Sequence, residues 1–287
     1  MTGSGEESWR CACGEVRLLG SSECWKCGAV YSREGLVDPA TMEHGTSSPG
    51  EKVSTPPPAA GTEAASLPAD RSPLKKPWTE VAVVLLLTVF PWFCSALWDI
   101  FRPAPQLPFV EASFFSVIWN LQVIAPVIFI IARSGQPWSH FGIVRPQLIL
   151  DGFLAFIIFA IGFGLSGLLR PLITLVLPGP PFDFPRPAGP AEHLLLILTK
   201  GVNGFAEELI LRGYLIPRLE TLTGSTAKSI VLSSVLFASY HIYQGPASSI
   251  QILIMGLIFG SFFAITRRIC PLVLAHASFG IFAYVAR

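Results

Sequence analysis

The residues best suited to chemistry lie in Asn203-Gly-Phe-Ala-Glu207-Glu208-Leu-Ile-Leu-Arg212. Two adjacent carboxylates and a guanidinium interrupt an apolar run from Leu194 to Leu219. An ionised carboxylate at membrane depth costs several kcal/mol unless it is paired, so each one needs a partner or a task. On a helix Glu208 and Arg212 are four apart and share a face, which suits an ion pair. Glu207 lies about 100° away and shares its face with Lys200, Asn203 and Tyr214. Two histidines complete the set: His241 ends Phe237-Ala-Ser-Tyr-His241, and His276 sits in Leu274-Ala-His276-Ala-Ser-Phe-Gly280. A glutamate with two histidines can hold a divalent metal. It can equally activate a water by general-base catalysis while an imidazole stabilises the oxyanion. The residues alone leave both open, beside a structural ion-pair cluster and a transporter's proton relay.

These side chains must be positioned by membrane-embedded helices. The 287 residues are 51% hydrophobic and 14% charged, with mean hydropathy +0.56; soluble domains carry roughly 25% charged residues. The net charge of +1 gives no reason to expect a nucleic acid partner. From Trp78 onward the pattern predicts an all-α membrane protein, a polytopic bundle of about seven transmembrane helices. They are expected at about 79–98, 112–132, 148–169, 192–217, 227–243, 248–266 and 270–286. A Pro-rich connection, 178–190, separates the third from the fourth. With the N-terminus cytoplasmic, the inner loops collect Arg71, Lys75, Lys76, Arg133, Arg145, Arg218, Lys228, Arg267 and Arg268. The outer loops then hold Arg102, Arg170, Arg186 and Arg287. That bias favours the N-terminus inside an integral, multi-pass protein of the cell membrane.

Two further segments precede the bundle. Residues 1–31 carry Cys11-Ala-Cys13 and Cys24-Trp-Lys-Cys27-Gly28, four thiolates that suit one tetrahedral structural zinc. Two disulfides are the other reading, disfavoured in a reducing cytoplasm. This zinc-ribbon-like module is too small to fold on an apolar core and offers a docking site for a protein partner. Residues 32–77 are rich in Pro, Ser and Ala and read as a disordered linker. Met1 to Arg10 is polar, so no cleavable signal peptide is expected.

The order Glu-Glu-x-x-x-Arg (Glu207, Glu208, Arg212), Phe-x-x-x-His (Phe237, His241) and a last-helix histidine (His276) resembles the CPBP family of intramembrane proteases. These are also called the CAAX protease, Abi or Rce1-like family. Phe141-Gly-Ile-Val-Arg-Pro146 is similar to another stretch found there, and the resemblance spans residues 78–287. It implies an endopeptidase acting on a membrane protein or peptide substrate in the bilayer. Glu207 matches the catalytic glutamate, assisted by His241 in activating water; Glu208 and Arg212 match its supporting pair. His276 matches the oxyanion-stabilising histidine. Family members have been read both as zinc enzymes, here with Glu207, His241 and His276 as ligands, and as metal-free. One departure stands out: Gly280 replaces the family's usual Asn, and losing one oxyanion donor costs on the order of 10²–10³-fold in rate. The alternative it suggests is a weak or inactive member serving as a membrane scaffold or bacteriocin-immunity-type protein.

Overall fold

Proline, glycine and buried charge decide where these apolar helices begin, break and meet. The computed structural model describes residues 30–32, 35–37, 77–102, 107–178, 182 and 184–285. Cys11, Cys13, Cys24 and Cys27, and with them the zinc module, lie outside the described residues, as does most of the expected linker. A short antiparallel hairpin, β1 (Val30–Ser32) with β2 (Gly35–Val37), pairs Val30 with Val37 and Ser32 with Gly35. It crosses the boundary drawn between module and linker at residue 31, and lies outside the part expected to be all-α, which begins at Trp78.

The first expected span is two helices, α1 (Pro77–Leu87) and α2 (Val89–Phe101), broken at Thr88. Pro91 explains the break: it has no N–H to give residue 87, and its ring crowds that carbonyl. Then follow α3 (Phe109–Arg133), α4 (Leu148–Val176) and α5 (Pro190–Glu208). Leu209–Leu215 continues α5 as a π-helical segment and leads into α6 (Ile216–Thr223). The chain finishes with α7 (Thr226–Ser239), α8 (Pro246–Thr266) and α9 (Cys270–Val285). Among the described residues four helical stretches are long and apolar enough to cross a membrane: Trp78–Phe101, α3, α4 and α8. The rods at the other three expected spans differ in kind. α7 and α9 have 14 and 16 residues, short of the roughly 20 a bilayer requires, and α5 carries the charges.

Exposure follows the membrane reading. Phe156 and Leu168 on α4 are 67% and 68% exposed, an apolar outer surface that suits lipid. The centre is the π segment, all seven of whose residues are buried. Gly213 there lies against the Phe141 carbonyl; a Cβ would come within 2.8 Å of that oxygen.

One end of the bundle is clamped by arginines. Arg268 donates from Nε and Nη2 to the two oxygens of Asp151, at 2.7 and 2.9 Å, and from Nη2 to the Arg145 carbonyl at 3.1 Å. Asp151 also accepts the Gln147 N–H, capping α4. Arg267 closes α8 in the left-handed conformation (φ 49°) and forks onto Glu220 of α6 with two 2.7 Å bonds. Gly142 (φ 74°) packs against Phe263, where a Cβ would meet the ring at 2.6 Å. The Phe141-Gly-Ile-Val-Arg-Pro146 segment is thereby tied to the α8–α9 link. Asp151→Ala strands the buried Arg268 guanidinium. It is expected to cost about 3–5 kcal/mol, read as a lowered unfolding midpoint of the detergent-solubilised protein.

Candidate functional site

Among the described residues four carboxylates are buried: Glu80, Asp151, Glu207 and Glu208. Three of them meet an arginine, Glu80 with Arg218 at 2.9 Å, Asp151 with Arg268, and Glu208 with Arg212 at 3.1 Å. Glu207 meets none among the described residues. Its Oε1 accepts a 3.0 Å hydrogen bond from the Asn203 amide, one helical turn back. Asn203 in turn donates to Asn120 of α3 at 3.4 Å. The other oxygen of Glu207, Oε2, lies 3.4 Å from His276 Nε2.

The partner of Glu208 is held on several sides. Both Glu208 and Arg212 have fully buried side chains. The guanidinium lies 4.6 Å from the Phe237 ring centroid and 5.5 Å from that of Phe259, and Nη2 donates to the Gly256 carbonyl at 3.5 Å. His276 approaches from α9, and its Nδ1 is 2.7 Å from Glu208 Oε1. The approach depends on Gly204: a Cβ there would lie 3.3 Å from the Val273 carbonyl and 3.4 Å from His276 Cβ. With a carboxylate at each nitrogen, His276 bridges the two glutamates.

His241 enters differently. It sits just beyond the end of α7, and its Nδ1–H donates back to the Phe237 carbonyl at 2.8 Å. That bond fixes the tautomer and leaves Nε2 as an acceptor. Glu207, His241 and His276 line one cavity of about 470 Å³, together with Lys200, Asn203, Phe279, Gly280 and Tyr284. The structure thus gathers all five expected residues, Glu208 and Arg212 forming the wall behind. No three His, Cys, Asp or Glu side chains among the described residues form a metal-ligand group. Glu207 Oε2 and His276 Nε2, 3.4 Å apart with Nδ1 held by Glu208 behind them, have the spacing of two ligands of one divalent ion and would hold one if it binds.

One expectation is corrected. Tyr214 does not share the Glu207 face; its hydroxyl donates to Glu80 at 2.9 Å, beside Arg218. Closing i to i+5 rather than i+4, the π segment puts residues beyond 208 out of phase with the 3.6-residue wheel. Ser278, two residues after His276, stays outside: it is exposed and donates to the Leu274 carbonyl. Two residues were missed. Tyr240 is buried with its hydroxyl beside the Glu207 carboxylate and packs on His241 with ring centroids 4.6 Å apart. Asn120 supports Asn203, and an amide in an apolar helix was the signal available for it.

Residues 189–282 match the family model described as type II CAAX prenyl endopeptidase Rce1-like. The match spans α5 through most of α9, about a third of the chain, and supports a CAAX-protease-type family, which is a peptidase family. No curated protein and no solved structure matches the chain. Separating the two glutamates by stability is the direct check on their unequal partners. Arg212→Met is expected to cost about 3–5 kcal/mol by leaving the buried Glu208 without its guanidinium. Asn203→Leu, which removes one hydrogen bond from Glu207, is expected to cost roughly 1–3 kcal/mol. Chemical denaturation in detergent gives the ranking.

Proposed function

We propose that residues 78–287 form an intramembrane endopeptidase of the CPBP type, embedded as a seven-rod bundle with the N-terminus in the cytoplasm. The observation that carries this reading is Glu207, a buried carboxylate with no arginine, facing a cavity that also holds two histidines. Such a group is free to take a proton, whereas Glu208 is committed to Arg212.

The proposed reaction uses water as nucleophile. Glu207 and His241 Nε2 are both acceptors on the cavity wall and orient and deprotonate it. The carbon–oxygen bond forms as the peptide carbonyl becomes an oxyanion. With a proton on each nitrogen, His276 donates from Nδ1 to Glu208 and presents Nε2–H to that charge. The carbon–nitrogen bond then breaks, and the proton taken by Glu207 passes to the leaving amine. The membrane excludes bulk water, so these hydrogen bonds act in a low-dielectric site. No step is routed through a metal. The N-terminal cysteines Cys11, Cys13, Cys24 and Cys27 are proposed to hold one structural zinc and to recruit a protein partner.

Gly280 favours a second reading, a membrane scaffold with weak or absent catalysis, since it offers no donor beside His276. Glu207→Gln decides between them. It is expected to lower hydrolysis of a membrane-peptide library by about 10²–10⁴-fold with the fold intact; an unchanged cleavage pattern sinks the peptidase reading. For the metal, about one zinc per chain is expected, lost in Cys24→Ser, with chelator leaving the hydrolysis rate unaltered. A rate that falls with chelator and returns with zinc overturns the metal-free mechanism.

A further inference from the structure

Glu207 has two oxygens, and its surroundings treat them differently. A carboxyl torsion is broad and twofold, so nothing within the side chain itself decides which oxygen meets the cavity. Asn203 decides it from one turn back. Its Nδ2 donates to Oε1 at 3.0 Å, and Oε2 is left toward His276, 3.4 Å from Nε2. A primary amide has an accepting end as well as a donating one. Turned over, Asn203 would set Oδ1 against the carboxylate, so this amide must be held the right way round.

Asn120 of α3 holds it. The residue is 3% exposed and stands behind the cavity wall, which Ser116, Asn203 and Glu207 line. Its Nδ2 donates to the Ser116 carbonyl at 2.8 Å, with Ser116 Oγ at 3.4 Å. A backbone carbonyl only accepts, which fixes Asn120 with Oδ1 facing α5. Oδ1 also only accepts, and the Asn203 Nδ2 that reaches it at 3.4 Å is the nitrogen that bonds Glu207. Both protons of that NH₂ group are thereby used, one on each acceptor. Flipping either amide would bring two acceptors together, an arrangement that buried polar groups avoid. One carbonyl on α3 therefore sets the direction of a chain that ends on Glu207. We propose that Asn120 is a positioning residue for Glu207: acting through Asn203, it reserves Oε1 and presents Oε2 as the oxygen that takes the proton of the attacking water. In that step an O–H bond of water breaks and an O–H bond forms at Oε2. The water oxygen keeps the electron pair that bonds the peptide carbon, and the proton later leaves with the amine. The role of Oε2 in proton transfer rests on the hydrolytic reading above; the orientation of the carboxylate does not.

Infrared spectroscopy reads that orientation without a substrate. The full-length protein is prepared in uncharged detergent with isotope-labelled glutamate, and the Glu207 carboxyl band is isolated as the difference against Glu207→Gln. Asn203→Leu is expected to shift that band. Asn120→Leu, which touches neither Glu207 nor the cavity, is expected to shift it the same way. Val123→Ala loosens the buried face of α3 elsewhere, and is expected to lower the unfolding midpoint while leaving the band in place. A band that Asn120→Leu leaves unmoved, or that Val123→Ala moves as far, overturns the proposal. Kinetics on a quenched peptide, drawn from those cut in the membrane-peptide library, then read the proton-transfer step. Asn203→Leu is expected to lower kcat by about 10–100-fold, and Asn120→Leu by about 3–10-fold at unchanged KM, the ranges of a charge-assisted and a neutral hydrogen bond. Because Asn120 works through Asn203, the double variant is expected to be no slower than Asn203→Leu alone; losses that multiply overturn the coupling. A shifted band with no hydrolysis by the unsubstituted protein retains the positioning and removes the hydrolytic reading. Hydrolysis with an unmoved band does the reverse.

Discussion

The structure turns on the contact between Glu208, Arg212 and His276. A carboxylate with a fully buried side chain is tolerable only if every approach to it is filled by a group that answers its charge. Arg212 supplies the charge from the same rod, Phe237 and Phe259 flank the guanidinium from α7 and α8, and His276 arrives from α9. Four helical elements therefore converge because one carboxylate has to be satisfied. The close crossing at Gly204 and the placing of the second glutamate beside the same imidazole both follow from that convergence.

Charge elsewhere in the bundle is spent on architecture. Asp151 with Arg268 and Glu220 with Arg267 lock α4 and α6 to the link between α8 and α9, and Glu80 with Arg218 joins α1 to α6. These pairs surround the π segment and hold it in place from outside. Within that frame Glu207 and Lys200 are the exceptions: one buried carboxylate without a guanidinium, and one ammonium resting on aromatic faces. These two opposite charges line one cavity.

Much of this could be read from spacing, and the failures have specific causes. Glu208 and Arg212 are paired as an i, i+4 spacing requires, and the seven rods lie where the apolar runs placed them. Their membrane-spanning status was less legible, because α7 and α9 are short and α5 is charged. The break at Thr88 was written in Pro91, whose effect falls four residues upstream and was overlooked. Tyr214 was assigned to the wrong face because a π turn has no simple composition signature. His241 was placed inside a span, yet it lies past the end of α7, turned back onto the Phe237 carbonyl. No periodicity rule could couple Lys200 to Gly280, which are eighty residues apart and meet only when α5 packs on α9.

The π segment also makes the chain intolerant of counting errors. Leu209–Leu215 sits between a stretch that aims Glu207 into the cavity and one that aims Tyr214 and Arg218 at Glu80. Removing a single residue from it returns the rod to ordinary α geometry and turns its two ends by about 100° relative to each other. Either the cavity or the Glu80 contact is then lost, whichever residue is deleted and however conservative the remaining side chains. Length, as much as identity, is a constrained quantity in this part of the protein.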